Sequence, residues 1–301
     1  MKKLRDELKE HYLEYSTYTY PGFYGDVLKT MPDDIQEIGL LVRKSFIHRT
    51  TLEAGNTYNN TDLRFGDMTK VPWWRQPEDD VLQTAPAMLA ELYRRDSKGL
   101  SLNREPQDKL VLTCRYVSIL MASILKTKGI PCRVRAGHVP YFDMGKLGDV
   151  STDHWFNQYW SDEEGRWVTI DVDGSLSLEK DIFDPYDVPE GKIDYAADAW
   201  LNVRSSKVDA KHFYNAGGFR GLRVILWSLA YDFHSIMNDE IIYNHGFTFS
   251  ELKEFKALTE KDLKEIDNLA GLMQDIDRNF NELTNIWNNN KKFRLLAGSL
   301  L

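Results

Sequence analysis

Cysteine is scarce in this sequence, with 2 residues in 301. Two thiols cannot build the disulfide framework that stabilises small extracellular domains, so stability must come from a buried core. We therefore expect a reducing compartment, in which a thiol stays free to react. A chain of this length, 42% hydrophobic and 28% charged, is typical of a globular protein with a sizeable core.

Long hydrophobic runs and a surplus of positive charge are also missing. The longest apolar run, near 224–230, is too short to cross a bilayer, and the charged N-terminal residues are unlike a signal peptide. We therefore expect a cytoplasmic protein with no membrane partner. The formal net charge of -8 argues against nucleic-acid binding, which needs a basic face. The sequence leaves the oligomeric state open.

Helices predominate in the predicted N-terminal region, although residues 53–77 are predicted to be a loop. Charged residues at 2–14 predict the first helix, and apolar residues at helical spacing predict another over 32–48. His48 then lies at a helix C-terminus, where a cation suits the dipole, and this position favours a structural function. The span 78–95 contains Pro86, so it predicts either one helix or two shorter ones.

A helix followed by strands is predicted between residues 112 and 174. Thr113 can cap a helix whose apolar positions continue to Leu125, and Gly129 and Pro131 can end it. Alternating residues then predict three strands, at 132–136, 154–160 and 166–172, the last two joined as a hairpin by 161–165.

Helices again dominate beyond residue 175. A capping box at Thr259 begins a predicted helix that extends to Trp287, about 28 residues. Because Asp277 interrupts its apolar stripe, we expect this helix to dock on the core rather than pair with a second chain. The expected organisation is one continuous domain made of a mainly helical N-terminal region (1–99), a core (100–175) and a helical C-terminal region (176–301).

Three residues of the central stretch have the types that thiol catalysis needs. Cys114 begins the predicted helix, where free N–H groups and the dipole favour a thiolate and could bind an oxyanion. His154 begins a strand and is the candidate base, while Asp171 ends the next strand and is the candidate group that orients it. Cys132 lies in the middle of a strand between apolar neighbours, so we predict that it is inert.

The hairpin gives a geometric reason for pairing His154 with Asp171. If four residues close the hairpin so that Trp160 pairs with Gly165, His154 lies directly opposite Asp171 on the same face. Asp173 lies on that face as well and is the alternative orienting group.

The motifs in this stretch resemble those of the transglutaminase-like superfamily. They are Gly-Ile-Pro-Cys-Arg-Val-Arg-Ala-Gly-His (129–138), Asp153-His154-Trp155, and Arg166-Trp167-Val168-Thr169-Ile170-Asp171. Weaker similarities at 184–189, 199–200 and 221–223 resemble an uncharacterised bacterial branch with helical flanks. The resemblance implies an α+β fold with a papain/transglutaminase-like core, in which the nucleophile helix packs on an antiparallel sheet and helical additions surround it.

The resemblance also implies a chemistry, a Cys-His-Asp triad that forms a thioester. Cys114 would be the nucleophile, His154 the base and Asp171 the orienting group of an amide hydrolase or acyl transferase acting on a peptide-like substrate. Leu112 stands where the family usually has glycine, and Tyr116 where it often has aspartate. These two departures motivate an alternative, a non-catalytic binding module with the same fold. No cofactor or metal is expected, since the sequence shows no metal-ligand spacing.

Overall fold

The computed structural model of the protein describes residues 3–49, 70–75, 78–141, 150–174, 183–243, 245 and 247–294. The α-helices in these ranges are α1 (Asp6–Leu13), α2 (Gly25–Lys29), α3 (Ile35–Lys44), α4 (Glu78–Val81), α5 (Ala85–Arg95), α6 (Cys114–Thr127), α7 (Ala196–Arg204), α8 (Leu222–Ile236), α9 (Leu252–Lys256), α10 (Glu260–Met273) and α11 (Ile276–Asn289). The strands are β1 (Phe46–His48), β2 (Leu110–Leu112), β3 (Cys132–Val139), β4 (Ser151–Ser161), β5 (Arg166–Ile170), β6 (Asp194–Tyr195) and β7 (Phe213–Tyr214).

The strands form two sheets. One has the order β5-β4-β3-β6, with β7 also pairing with β4, and the other is the parallel pair of β1 and β2. Strand β5 runs antiparallel to β4, and β6 runs antiparallel to β3, whereas β7 runs parallel to β4. The predicted α+β class is confirmed. No helix within the described ranges is long and apolar enough to span a membrane.

The chain divides into two compact units, each made of separate segments. The first comprises Met1–Val134 and Trp155–Pro189, and the second comprises Arg135–His154 and Glu190–Leu301. Because these boundaries fall at Val134 and His154, both β3 and β4 contain residues of each unit. The three-region organisation expected from the sequence stays a prediction.

Helix α6 forms the centre of the first unit. Every residue from Cys114 to Lys126 is buried, and α1, α2, α3 and α5 all contact the helix. A helix that is apolar on all sides must be buried, and the apolar residues here extend well beyond one stripe. On another side the Asn157 side chain of β4 donates to the Ser118 carbonyl of α6 at 3.0 Å. This is the predicted packing of the nucleophile helix on a sheet.

The helix predicted over 32–48 is shorter than expected. Asp34 caps its N-terminus by accepting a hydrogen bond from the Glu37 amide at 2.8 Å, but α3 ends at Lys44. Ser45 then closes the helix, with its hydroxyl donating to the Leu41 carbonyl. Residues 46–48 form β1 instead, because they can pair with β2, a partner distant in sequence. His48 therefore ends a strand, and its predicted position at a helix C-terminus was wrong.

The segment 78–95 forms two helices, the alternative that the presence of Pro86 suggested. Helix α4 ends at Val81, and Thr84 then caps α5, accepting a hydrogen bond from the Ala87 amide at 3.4 Å. Proline suits the first turn of α5, where its missing N–H would have no partner in any case. The short α4 is anchored to β2, since Glu78 accepts from the Val111 amide at 2.6 Å.

The hairpin of β4 and β5 is present with a register that differs by two residues from the predicted one. Trp160 pairs with Trp167 instead of Gly165, and Ser161 still belongs to the ladder, opposite Arg166. The turn explains the difference: the Glu164 amide donates to the Ser161 hydroxyl, and Gly165 adopts a φ of 66°. A positive φ favours glycine in a turn, so Gly165 is a turn residue and not a strand partner.

That register changes the geometry predicted for Asp171. The ladder ends at the pair of Asn157 with Ile170, so Asp171 lies one residue beyond β5. Its amide donates instead to the Pro185 carbonyl at 2.7 Å. The predicted directly opposed pair of His154 and Asp171 is therefore not formed by the ladder.

In the second unit, the long C-terminal helix predicted from Thr259 is broken into two. The capping box of Thr259 with Asp262 is confirmed, but α10 ends at Met273 and α11 begins at Ile276. Asp275 separates them because its side chain caps α11, accepting from the Arg278 amide at 3.2 Å.

Helix α10 docks on α7, a helix of the same unit that lies outside the predicted core (100–175). Asp267 of α10 accepts a hydrogen bond from the Trp200 indole at 2.7 Å and forms an ion pair with Arg204 at 3.0 Å. These polar contacts lie beside buried apolar residues of α10, namely Ile266, Leu269, Ala270 and Met273.

Candidate active site

The thiol of Cys114 lies at the point where β2 turns into α6. Thr113 occupies the N-cap position with an extended backbone, although its side chain makes no capping hydrogen bond. Cys114 is thus the first residue of a 14-residue helix, and 6% of its surface is exposed. The free N–H groups and the dipole at such a position stabilise a thiolate.

His48 reaches this thiol from β1. Strands β1 and β2 run parallel with His48 opposite Leu112, two residues before Cys114. The His48 side chain makes a hydrogen bond with Cys114 and is 19% exposed. The sequence analysis predicted a structural function for this histidine, whereas the structure brings it into contact with the candidate nucleophile.

A carboxylate and a guanidinium lie on the other side of His48. The Asp173 Oδ2 atom is 3.8 Å from His48 Nε2, and its Oδ1 atom is 3.6 Å from Arg43 Nε. Arg43 Nε also donates to the Asp173 carbonyl at 2.7 Å, and Arg43 Nη1 donates to the Phe46 carbonyl at 3.2 Å. These two hydrogen bonds join β1 to the 171–174 turn. Arg43 itself is only 1% exposed.

These neighbours raise the pKa of His48. Burial lowers the pKa, as does the Arg43 charge, but the Asp173 charge and the hydrogen bond to Cys114 together outweigh them. A histidine whose folded pKa exceeds its unfolded value stabilises the fold fully below about 6.5. That contribution is lost as pH rises through the folded-state value.

The predicted orienting group, Asp171, is fully buried in the first unit. Its Oδ1 atom accepts a hydrogen bond from the Gly174 amide at 2.8 Å, which closes the turn that also presents Asp173. Gly174 allows this turn because a Cβ at that position would lie 2.8 Å from Asp171 Cγ and closer still to Oδ2. The contact is shorter than real Cβ atoms tolerate, so the carboxylate requires glycine there.

Replacing Gly174 by alanine tests this turn. We expect Gly174→Ala to destabilise the protein by about 1–3 kcal/mol, because the added methyl group overpacks a buried carboxylate. Gly271→Ala is the matched control: Gly271 lies on α10 with open space beside it, and alanine there stabilises by roughly 0.5–1 kcal/mol. Urea unfolding measures both, and equal stability of Gly174→Ala and the parent chain would contradict the overpacking.

The predicted base, His154, lies on β4 and is 1% exposed. It is the last residue of the Arg135–His154 segment of the second unit, whereas Cys114 and Asp171 belong to the first. Its assignment as the base of a triad stays a prediction.

The two departures from the family pattern both have packing functions. Leu112 is fully buried in the ladder of β1 and β2. The Tyr116 hydroxyl donates to the Asp79 carbonyl at 2.5 Å and lies 3.2 Å from the Gln83 side-chain oxygen. Burial raises the pKa of Tyr116 to about 12, so the phenol is neutral and tethers α6 to the α4 region.

The second cysteine, Cys132, is fully buried. Its sulfur lies 3.8 Å from the Asn157 side-chain nitrogen. Within the described ranges, no three His, Cys, Asp or Glu side chains are arranged to hold a metal ion.

Residues 107–172 match the family model of the Transglutaminase-like superfamily. This match confirms the resemblance found in the motifs, so this part of the chain is transglutaminase-like. That superfamily contains cysteine-dependent enzymes. No curated protein matches the chain. A solved structure of a candidate cysteine protease from Cytophaga hutchinsonii is similar at a TM-score of 0.34 and 12% identity. The similarity covers 65% of this chain and 50% of that protein.

His48, the histidine at the thiol, is the residue whose position the sequence analysis predicted wrongly. The signal that could have identified it is the run Phe46-Ile47-His48 directly after a residue that closes a helix. Aromatic and β-branched residues favour a strand over another helical turn. Its partner strand, however, cannot be read from local sequence.

Proposed function

We propose that the protein is a cysteine-dependent amide hydrolase or acyl transferase that forms a thioester on Cys114. The observation that supports this proposal is the position of Cys114 at the first residue of a buried helix, inside the transglutaminase-like segment and hydrogen-bonded to an imidazole. The imidazole can accept the thiol proton, and the helix N-terminus stabilises the resulting thiolate.

The reaction has two stages. The Cys114 sulfur attacks the carbonyl carbon of a peptide-like amide, the amine leaves with a proton from a protonated imidazole, and a thioester remains. Water or a second amine then attacks the thioester and restores the thiol. We assign the leaving-group proton to His154, oriented by Asp171, as the family resemblance implies.

An acyl-enzyme trap tests the proposal without knowledge of the natural substrate. The protein is mixed with p-nitrophenyl acetate, and the acetylated peptide is identified by mass spectrometry. We expect one equivalent of p-nitrophenolate in a burst and a single acetyl group on Cys114, because only an activated thiol captures the acyl group rapidly. A chain that never acquires an acetyl group on Cys114 would be the non-catalytic module. Since Leu112 and Tyr116 have packing functions, those departures alone do not favour that alternative.

A glutamine-containing peptide with a labelled primary amine separates transfer from hydrolysis. A transferase links the amine to the peptide and releases ammonia, whereas a hydrolase converts glutamine to glutamate and leaves the amine unlinked. Product masses distinguish the two outcomes.

A further inference from the structure

His48, which contacts the candidate nucleophile, has no assigned function in a triad of Cys114, His154 and Asp171. We propose that His48, held beside Asp173, takes the thiol proton of Cys114 and pairs with the resulting thiolate in the resting enzyme. This inference rests on the proposed function, since it concerns the activation of the same nucleophile. The step is a proton transfer only: the S–H bond breaks, an N–H bond forms on the imidazole, and no oxidant or reductant is involved.

The position of His48 is set by backbone structure on both sides of the site. Pairing of β1 with β2 places its backbone opposite Leu112, immediately before the turn that carries Cys114. Buried Arg43 binds the Phe46 carbonyl of β1 and the Asp173 carbonyl of the turn. The imidazole is thus fixed between the sulfur and the Asp173 carboxylate, as preorganised proton transfer requires.

The charges around His48 favour its protonated form. One carboxylate, Asp173, and one potential thiolate, Cys114, face the ring, while Arg43 is the cation that opposes its protonation. Arg43 also donates to the backbone carbonyls of Asp173 and Phe46, so its N–H groups are shared with acceptors other than the Asp173 carboxylate. The pKa of His48 is raised by this environment in spite of burial. Because coupling is reciprocal, the thiolate raises the pKa of the imidazole and the imidazolium lowers the pKa of the thiol by the same amount.

This assignment separates two proton transfers that one histidine performs in a simple triad. His48 ionises the thiol before substrate arrives, so the reactivity of the free enzyme depends on His48 and Asp173. Protonation of the leaving amine is a later step, which we assign to a protonated His154. The water or amine that attacks the thioester returns a proton to His154, while His48 keeps the thiol proton throughout. The two histidines can therefore be distinguished by an assay that needs no substrate.

The pH dependence of Cys114 alkylation by iodoacetamide is that assay. For the parent chain we expect the midpoint of the rate profile below about 8.5, the ordinary pKa of a thiol. His48→Gln should move the midpoint toward that value and slow alkylation at pH 6.5 about tenfold or more, because fewer thiols are ionised. At pH 10 the two rates should converge. His11→Gln, the same change on α1 of the same unit, is the matched control and should leave the profile unaltered.

Two outcomes of the alkylation assay would overturn the inference. One is a His48→Gln profile with an unchanged midpoint, even if the rate falls equally at every pH, since that result indicates a structural effect. The other is a rise in the midpoint for His154→Gln alone, which assigns the thiol proton to His154 and leaves Cys114 as the nucleophile. Failure of the acetyl trap at Cys114 would instead remove the proposed function, so the two failures are distinguishable.

A titration of His48 in a chain that keeps this histidine gives an independent test. Histidine ring signals are followed by NMR, and the His48 signal is identified by its loss in His48→Gln. We expect Cys114→Ala and Asp173→Asn each to lower the pKa of His48, because each removes an anionic partner of the imidazolium. A pKa that stays unchanged in Cys114→Ala would show that the thiol and the imidazole are not coupled, and would overturn the inference.

Discussion

Cys114→Ala is expected to abolish thioester formation and to lower turnover by about 10³-fold or more, because nothing replaces the sulfur as nucleophile. The fold should survive this change. Cys114 is the first residue of α6, alanine is the best helix former, and the loss of one buried sulfur costs about 1 kcal/mol. The measurement is the p-nitrophenolate burst together with the turnover that follows it.

Cys132→Ala is the matched control, since it removes the other thiol of the chain. Cys132 is fully buried in β3, so its loss should reduce stability while the burst remains. A Cys114→Ala chain that retained the burst would contradict the assignment of the nucleophile. The circular dichroism spectrum of each variant shows whether its fold is intact.

The second large effect is expected at a buried ion pair in the second unit. Arg135 Nε lies 2.7 Å from Asp232 Oδ1 and Arg135 Nη2 lies 2.9 Å from Oδ2, with the arginine 5% exposed and the aspartate fully buried. Asp232 also accepts from the Ala136 amide at 3.0 Å. Asp232→Asn should therefore cost about 3–5 kcal/mol, because it leaves a buried guanidinium without its anion. Urea unfolding measures this loss.

The ion pair of Arg166 with Asp187 is the matched control for burial. Two hydrogen bonds, at 3.0 and 2.7 Å, also join this pair, but its side chains are 44% and 49% exposed. Asp187→Asn should cost only about 0–1 kcal/mol, since water and salt screen an exposed pair. Equal losses of stability in Asp232→Asn and Asp187→Asn would show that burial does not determine how much each ion pair contributes.

Local sequence was sufficient to predict α6 and its ends. Apolar residues at consecutive helical positions require a buried helix, and the Thr113 backbone takes the N-cap conformation. Gly129 has a φ of 78°, which is the left-handed conformation that glycine supplies after a helix. These features depend on residues that are close together in the chain, so they can be predicted from local sequence.

The predicted elements were wrong at three places, where a strand distant in sequence or a single side chain decided where an element ends. The apolar periodicity of 32–48 was correct up to Lys44, but Phe46 and Ile47 pair with a strand that lies far along the chain. The two-residue error in the hairpin came from the Ser161 hydroxyl, whose bond to the Glu164 amide sets where the turn begins. In the C-terminal region, Asp275 caps a new helix inside an apolar repeat that looked continuous.

The sequence by itself determined the transglutaminase-like segment and the position of Cys114 at the start of its helix. Both follow from residue types and spacing within short stretches of chain. Only the tertiary structure decided that His48 hydrogen-bonds the same sulfur and that Asp173 lies beside it. The physical reason is that this arrangement depends on a parallel strand pair and on buried Arg43, and both join segments that are remote in sequence.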